Sequence, residues 1–404
     1  MLHIEEKLSI PIKYDCDVLV AGGGFGGIAA AIAASREGKS VILAERGFIL
    51  GGLATAGLVT AYLPLCDGLG HQVSFGLAEE LLKLSIKEYC DGRGGVANWI
   101  LSDDPSQRGK DFPRYRVSFN PQLFAILAEQ RLSELGVKLL YGTTAVAAQT
   151  ENGKISHVIF ENKSGRFAIS ARAVVDATGD ADIASFSGAP TVDFAQGNIL
   201  AAWYYSNSGE NGYQLHAIGA CDIPDEEQAK GKKATARLVD RRFTGLDGEE
   251  ISEMCILSHK ATLDDLHKRR ETDQSIQPAT IATIPQLRMT RRIDGEYTLA
   301  TDEMHKYFED SIGMVSDWRK RGPVYEVPFR TLYSSKIKNL IMAGRCTSVT
   351  DGMWDVMRVI PCCAVTGEAA GLAAAMTDDF SSLNVVSLQE RLISCGVVLH
   401  ENDI

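Results

Sequence analysis

The sequence lacks any CxxC pair, although it holds nine cysteines, at 16, 66, 90, 221, 255, 346, 362, 363 and 395. An odd number without that spacing indicates neither a disulfide framework nor a zinc knuckle, so no metal site is expected and a reducing cytoplasm fits best. Positive charge is also scarce. Forty-one Lys and Arg face 52 Asp and Glu, a net charge of -11. Nucleic-acid binding needs clustered positive surface, so no nucleic-acid partner is expected. Val18 to Ser35 is an uncharged run of membrane-spanning length, but it carries five glycines and follows Asp15 and Asp17. Glycine at that density reads as a loop and helix start, so no membrane association is expected. Met1 to Lys13 mixes acidic and basic residues with no apolar centre, which argues against a cleavable signal. Internal repeats and low-complexity segments are absent as well. What is present is 45% hydrophobic content, enough for one large core or two that share an interface, which excludes disorder. A soluble protein with a small-molecule substrate is the expectation.

Along the chain, Val18 to Ala21 reads as a short buried strand, followed by a glycine-rich turn and an alanine-rich helix from about Gly26 to Arg36. Ser40 to Glu45 is a second strand, and the three make a right-handed βαβ unit. Asn120 and Pro121 start a helix over Gln122 to Leu135 that stops at Gly136, where a left-handed cap is easily adopted. Val137 to Tyr141 is another strand. Ala145 to Ala173, broken at Glu151-Asn152-Gly153 and Lys163-Ser164-Gly165, reads as an antiparallel meander, and Ala173 to Asp176 as a return strand in the main sheet. Between about Thr191 and Phe329 buried runs thin out and charged helical stretches such as Asp264 to Glu271 appear. The chain then resumes with a strand at Asn339 to Gly344 and an alanine-rich helix from Pro361 to Met376. The expected fold is α/β: a Rossmann-like domain over 1–190 and 330–404, with an inserted α+β substrate domain over 191–329.

Gly22-Gly23-Gly24-Phe25-Gly26-Gly27 satisfies G-x-G-x-x-G directly after a strand and at a helix start, the context that gives the pattern meaning. Gly22 permits the tight turn, Gly24 lets backbone approach a pyrophosphate, and Gly27 lets helix and strand pack closely. The helix N-terminus, with Phe25 and Gly26 in its first turn, supplies donors and partial positive charge. Glu45 lies eighteen positions past Gly27, where a carboxylate accepts hydrogen bonds from both ribose hydroxyls and disfavours a 2′-phosphate. Three later segments favour a flavin over a nicotinamide dinucleotide. Arg46 is followed by a second glycine-rich loop, Gly51-Gly52-Leu53-Ala54-Thr55-Ala56-Gly57. Ala177-Thr178-Gly179-Asp180-Ala181-Asp182 and Gly344-Arg345-Cys346 each follow a buried strand.

This combination resembles the FAD-dependent oxidoreductases of the glutathione-reductase-like superfold, Ala177 to Asp180 being similar to their second FAD fingerprint. Val327 to Leu332, Gly344 to Ser348, Arg358 to Pro361 and Gly367 to Gly371 resemble one branch, allied to heterodisulfide-reductase A-like and fumarate-reductase-like flavoproteins. The resemblance covers residues 15–65, 115–190 and 284–376. It implies a noncovalent FAD held by the residues named above, with Val146 of the first meander strand added to them. It does not imply one substrate.

The same comparison narrows the chemistry. Leu53 to Pro64 holds no cysteine pair and no second dinucleotide fingerprint follows, against a disulfide reductase of that superfold. Gly344-Arg345 stands where its aromatic hydroxylases carry Gly-Asp, against a monooxygenase. The leading expectation is hydride transfer between flavin N5 and a small anionic molecule. A flavin monooxygenase, or a flavin-bearing electron-transfer subunit with a partner protein, are the alternatives. The electron donor or acceptor and any homo-oligomer are left open. Pro361 suits a first helical position, and its helix can aim positive charge at the N1/C2=O edge of the flavin; Arg358, one turn earlier, can add to it or clamp a carboxylate. Arg288, Arg291, Arg292 and Arg330 are further anion anchors. His71 is a candidate proton donor or flavin attachment point. Tyr325 and Trp354 are candidate pocket walls, and Cys362-Cys363 reads as small buried packing.

Overall fold

The computed structural model describes residues 3–88, 116–209, 212–219 and 238–404. Strand β1 (Ile12–Ala21), helix α1 (Phe25–Arg36) and strand β2 (Val41–Ala44) form the βαβ unit. The two strands are parallel, with Val18 opposite Val41 and Ala21 opposite Ala44. A short antiparallel pair, β3 (Ala61–Tyr62) and β4 (Val117–Ser118), follows, together with helix α2 (Leu77–Ile86). Helix α3 (Pro121–Glu134) starts where the sequence dictates: the Asn120 side chain accepts from Leu123 N, proline occupies the first turn, and Gly136 beyond its end adopts φ 75°. It feeds β5 (Lys138–Leu140), parallel to β2.

The meander is β6 (Thr144–Glu151), β7 (Lys154–Asn162) and β8 (Gly165–Asp176). Here the structure departs from the expected division into a meander strand and a separate return strand. β8 is one continuous strand. It pairs antiparallel with β7 at its start and runs parallel to β1 from Ala168 to Asp176. The two neighbours flank it on opposite edges and overlap at Ala168 to Ser170, so no turn residue separates the two pairings. The sheet order is β5-β2-β1-β8-β7-β6.

After helix α4 (Asp182–Ser187) and β9 (Thr191–Asp193) come β10 (Ala202–Ser208), β11 (Gly212–Ile218), helix α5 (Gly248–Arg270) and β12 (Gln277–Ile281). β10, β11 and β12 form their own antiparallel sheet, and α5 is far longer than its charged end suggested. β13 (Arg291–Ile293) returns to pair with β9; β14 (Ser311–Ser316) and β15 (Val324–Pro328) pair with each other. The stretch 191–329 therefore packs in two settings. Leu200, Phe243, Met254 and Leu287 form a small cluster of their own, whereas Phe308, Ile312, Val315 and Tyr325 belong to the core that buries α1.

Strand β16 (Leu340–Met342) lies parallel to β8. Helices α6 (Asp351–Met357), α7 (Ile360–Met376) and α8 (Val385–Ser394) close the chain. α1 and α7 are buried on nearly every side, as their small apolar residues require. They touch backbone to backbone: a Cβ on Gly367 would sit 2.2 Å from Gly26 O. Among the described residues no single helix is long and apolar enough to cross a membrane, and the apolar pair α6 and α7 is bent by 89° within the core.

Candidate functional site

A cleft of about 500 Å³ opens where β2, β1, β8 and β16 end at their carboxyl edges, the crevice in which open parallel sheets hold ligands. The fingerprint turn forms its floor. Gly22 adopts φ 108°, and a Cβ there would lie 2.3 Å from Ala177 O. A Cβ on Gly27 would lie 1.9 Å from Gly22 O, so this glycine is packed beneath the turn and does not line the cleft. Gly24 is different: a Cβ there would meet nothing within 4 Å, which leaves its face open to the cleft. No side chain caps α1, so the first-turn N–H groups beside Gly24, Phe25 and Gly26 are available to an anion.

One wall is built on Glu45. Its Oε2 accepts from Gly23 N at 2.7 Å and its Oε1 from Gly47 N at 2.6 Å, which locks the carboxylate at the cleft edge with lone pairs to spare. Arg46 and Phe48 share this wall, as do Thr143, Thr144 and Ala145 at the start of the meander; the neighbouring Val146 does not. Gly51, Gly52, Leu53 and Ala54 line the next portion. Thr55 lies behind them, buried, with its hydroxyl donating to Leu50 O.

The opposite wall comes from Ala177, Thr178, Gly179 and Asp182 after β8 and from Gly344 and Arg345 after β16. Asp176 braces the first of these: it accepts from Thr178 N and Oγ1 and from Ala184 N, and burial still pushes its carboxyl up to about 6. Asp180 accepts from Thr290 Oγ1 and from Arg345 Nη2, both at 2.6 Å. Arg345 packs over Gly179, and its Nη1 is buried with no hydrogen-bond partner among the described residues. A buried guanidinium nitrogen left unpaired beside an open helix N-terminus fits a bound phosphate oxygen.

Beyond it stand Arg358 and the start of α7, represented by Ile360 and Cys363; Pro361, in the first turn, is not in the wall. Asp355 takes Nε and Nη2 of Arg358 and is itself bound by Arg319, which pairs with the buried Asp317. Burial pushes the Cys363 thiol up to about 12, so it stays protonated despite Arg345 and Arg358 nearby.

Several expected residues fall elsewhere. His71 is not in the cleft wall: its side chain is 61% exposed and bonded to Asp67, because the Asp67 carboxylate gathers the N–H groups of Leu69, Gly70 and His71 and turns the loop outward. Arg288 stacks on Trp203 and reaches Gln286 instead of the cleft. Arg291 pairs with Asp182, Arg292 is buried beside Ile293 O, and Arg330 pairs with Asp310. Tyr325 and Trp354 are core residues, bonded to Thr301 O and Arg345 O.

Sequence reading missed the roof. Thr283, Ile284, Pro285 and Leu287 line the cleft, tied to the second glycine loop by Thr283 N to Ala56 O at 2.8 Å and Gln286 Nε2 to Gly57 O at 2.7 Å. These contacts join residues more than two hundred positions apart and leave no local signal. Phe48, Thr143 to Ala145 and Cys363 were also missed as wall residues.

The family model described as FAD dependent oxidoreductase matches residues 17–200 and 267–392. No curated protein matches. Among solved structures, a geranylgeranyl bacteriochlorophyll reductase-like protein from Thermoplasma acidophilum shares the fold at 14% identity and TM-score 0.50, over 95% of this chain and 84% of that one. A 3-ketosteroid-delta4-(5alpha)-dehydrogenase from Rhodococcus jostii RHA1 aligns at 16% identity and TM-score 0.39, over 90% of this chain and 97% of that one. OxyS anhydrotetracycline hydroxylase from Streptomyces rimosus aligns at 12% identity and TM-score 0.45, over 94% of this chain and 65% of that one.

Proposed function

The chain belongs to the FAD dependent oxidoreductase family, and from that premise we propose that it moves a hydride between its flavin and a small, anionic organic molecule held by Arg358. FAD, when bound, supplies the two-electron chemistry. The residues supply the rest. The first turn of α1 and Arg345 Nη1 would hold its phosphates, and Glu45 the adjoining ribose. The start of α7 brings the positive end of a long helix to the cleft, where it favours negative charge. The Thr283 to Leu287 roof, fastened to the second glycine loop, excludes water from the reacting face.

The observation that carries this reading is Arg358 in the cleft wall beside the start of α7. Of the five arginines weighed as anion anchors, it alone lines the cleft among the described residues; the other four are committed elsewhere. Asp355 fixes one edge of its guanidinium and leaves Nη1 for a carboxylate.

Arg358→Ala tests it. Asp355 keeps Arg319, so the substitution does not strand a buried carboxylate. Anaerobic turnover with an accepted substrate is expected to fall roughly thirtyfold or more, with FAD content unchanged. Equal losses of turnover and FAD would assign Arg358 to holding the cofactor. Turnover that requires oxygen and yields hydroxylated product would reassign the reaction to monooxygenation.

A further inference from the structure

We propose that Phe48 is the platform on which the adenine base of the bound dinucleotide stacks. The inference rests on the FAD reading and goes one residue beyond it. Phe48 lines the cofactor cleft, yet the residue is 84% exposed, far more than an aromatic residue at a structured turn needs to be. Exposed apolar surface at the rim of a cleft is surface that a ligand covers.

Position selects the base over the rest of the ligand. Glu45, three residues before Phe48, is locked by Gly23 N and Gly47 N at the point where the ribose is gripped. The base hangs from that ribose on the side away from the phosphates, which are held at Gly24 and Arg345. The wall on that side is Phe48 with Thr143, Thr144 and Ala145, and Arg46 beside them; an aromatic face and a planar guanidinium both suit a flat heterocycle.

The ring is also held in place. Three backbone hydrogen bonds stitch its turn to the end of β5: Glu45 N to Leu140 O, Gly142 N to Gly47 O, and Thr143 N to Glu45 O. The tip of the ring rests on Gly142, which adopts φ 55°; a Cβ there would stand 2.7 Å from Phe48 Cζ. Only glycine gives both the left-handed turn and the flat seat for the ring. Little ordering cost therefore remains when a base arrives.

The test is binding of FAD and of ADP to apoprotein, by calorimetry, in wild type, Phe48→Ala and Phe48→Tyr. The platform predicts that Phe48→Ala weakens both ligands about tenfold or more, the effect of losing one base–aromatic stack, while Phe48→Tyr binds as wild type does. Because the ring is exposed, the unfolding midpoint of Phe48→Ala apoprotein should match wild type, and only the rise on adding FAD should shrink. Wild-type affinity for both ligands in Phe48→Ala overturns the platform and leaves the FAD reading standing. A lowered apoprotein midpoint with weakened binding also overturns it, since the ring would then be part of the fold. A wild-type chain that binds neither FAD nor ADP overturns both.

Discussion

Gly24 and Gly27 belong to one motif and answer to different demands. A Cβ on Gly27 would press into Gly22 O, so Gly27→Ala must move backbone and is expected to destabilise the apoprotein by about 1–3 kcal/mol. A Cβ on Gly24 meets only open cleft, at an ordinary φ of -71°. Gly24→Ala should leave the apoprotein unfolding midpoint in place and weaken FAD at least about tenfold, because the added methyl occupies phosphate space. Thermal unfolding and flavin titration of the two variants separate these outcomes; a Gly24→Ala chain that binds FAD like wild type would place the phosphates elsewhere. At this scale the sequence was readable wherever a residue type is forced by backbone geometry, as at Gly22 and Gly136. It was silent on Phe48, since an exposed aromatic carries no pattern, and misleading on His71, whose direction is set by the Asp67 turn.

Between elements, the junction of α7 with α2 holds a buried acid. Glu368 on α7 accepts from Leu77 N at the start of α2, at 2.7 Å, and burial pushes its carboxyl from 4.5 up to about 7. The folded state therefore binds a proton that the unfolded chain has released between those values. That stability is fully present below pH 4.5 and is lost as pH rises through 7, on the order of 3 kcal/mol. Glu368→Gln keeps an acceptor for Leu77 N and does not titrate. It should be more stable than wild type at pH 8, with the gap closing toward pH 5, by urea unfolding at both values. A gap that is the same at both pH values would refute the linkage. Elements with local signals were legible: α1 from its glycine start and alanine run, α3 from Asn120-Pro121 and Gly136. The continuity of β8 was not, because a strand that exchanges an antiparallel neighbour for a parallel one keeps the same backbone and the same alternation.

For the molecule as a whole, the parallel sheet and the glycine-lined crevice at its edge follow from the order of strands and helices along the chain. The roof does not. Its contacts, Thr283 to Ala56 and Gln286 to Gly57, are made only after the sheet has brought distant segments together, so neither end announces the other. The division of 191–329 between a separate small cluster and the main core is likewise a property of packing, since Phe308, Ile312 and Val315 read as ordinary apolar residues until α1 is beside them. Arg345 joins the scales: its charge is fixed by Asp180, its place by Gly179, and its unpaired Nη1 has a purpose only in the assembled cleft. The most direct measurement is a titration of apoprotein with FAD, followed by flavin fluorescence and by the unfolding midpoint. The account predicts saturation at one FAD per chain and a midpoint that climbs with free FAD. A chain that takes up no FAD, with a midpoint that saturating cofactor does not move, would contradict it.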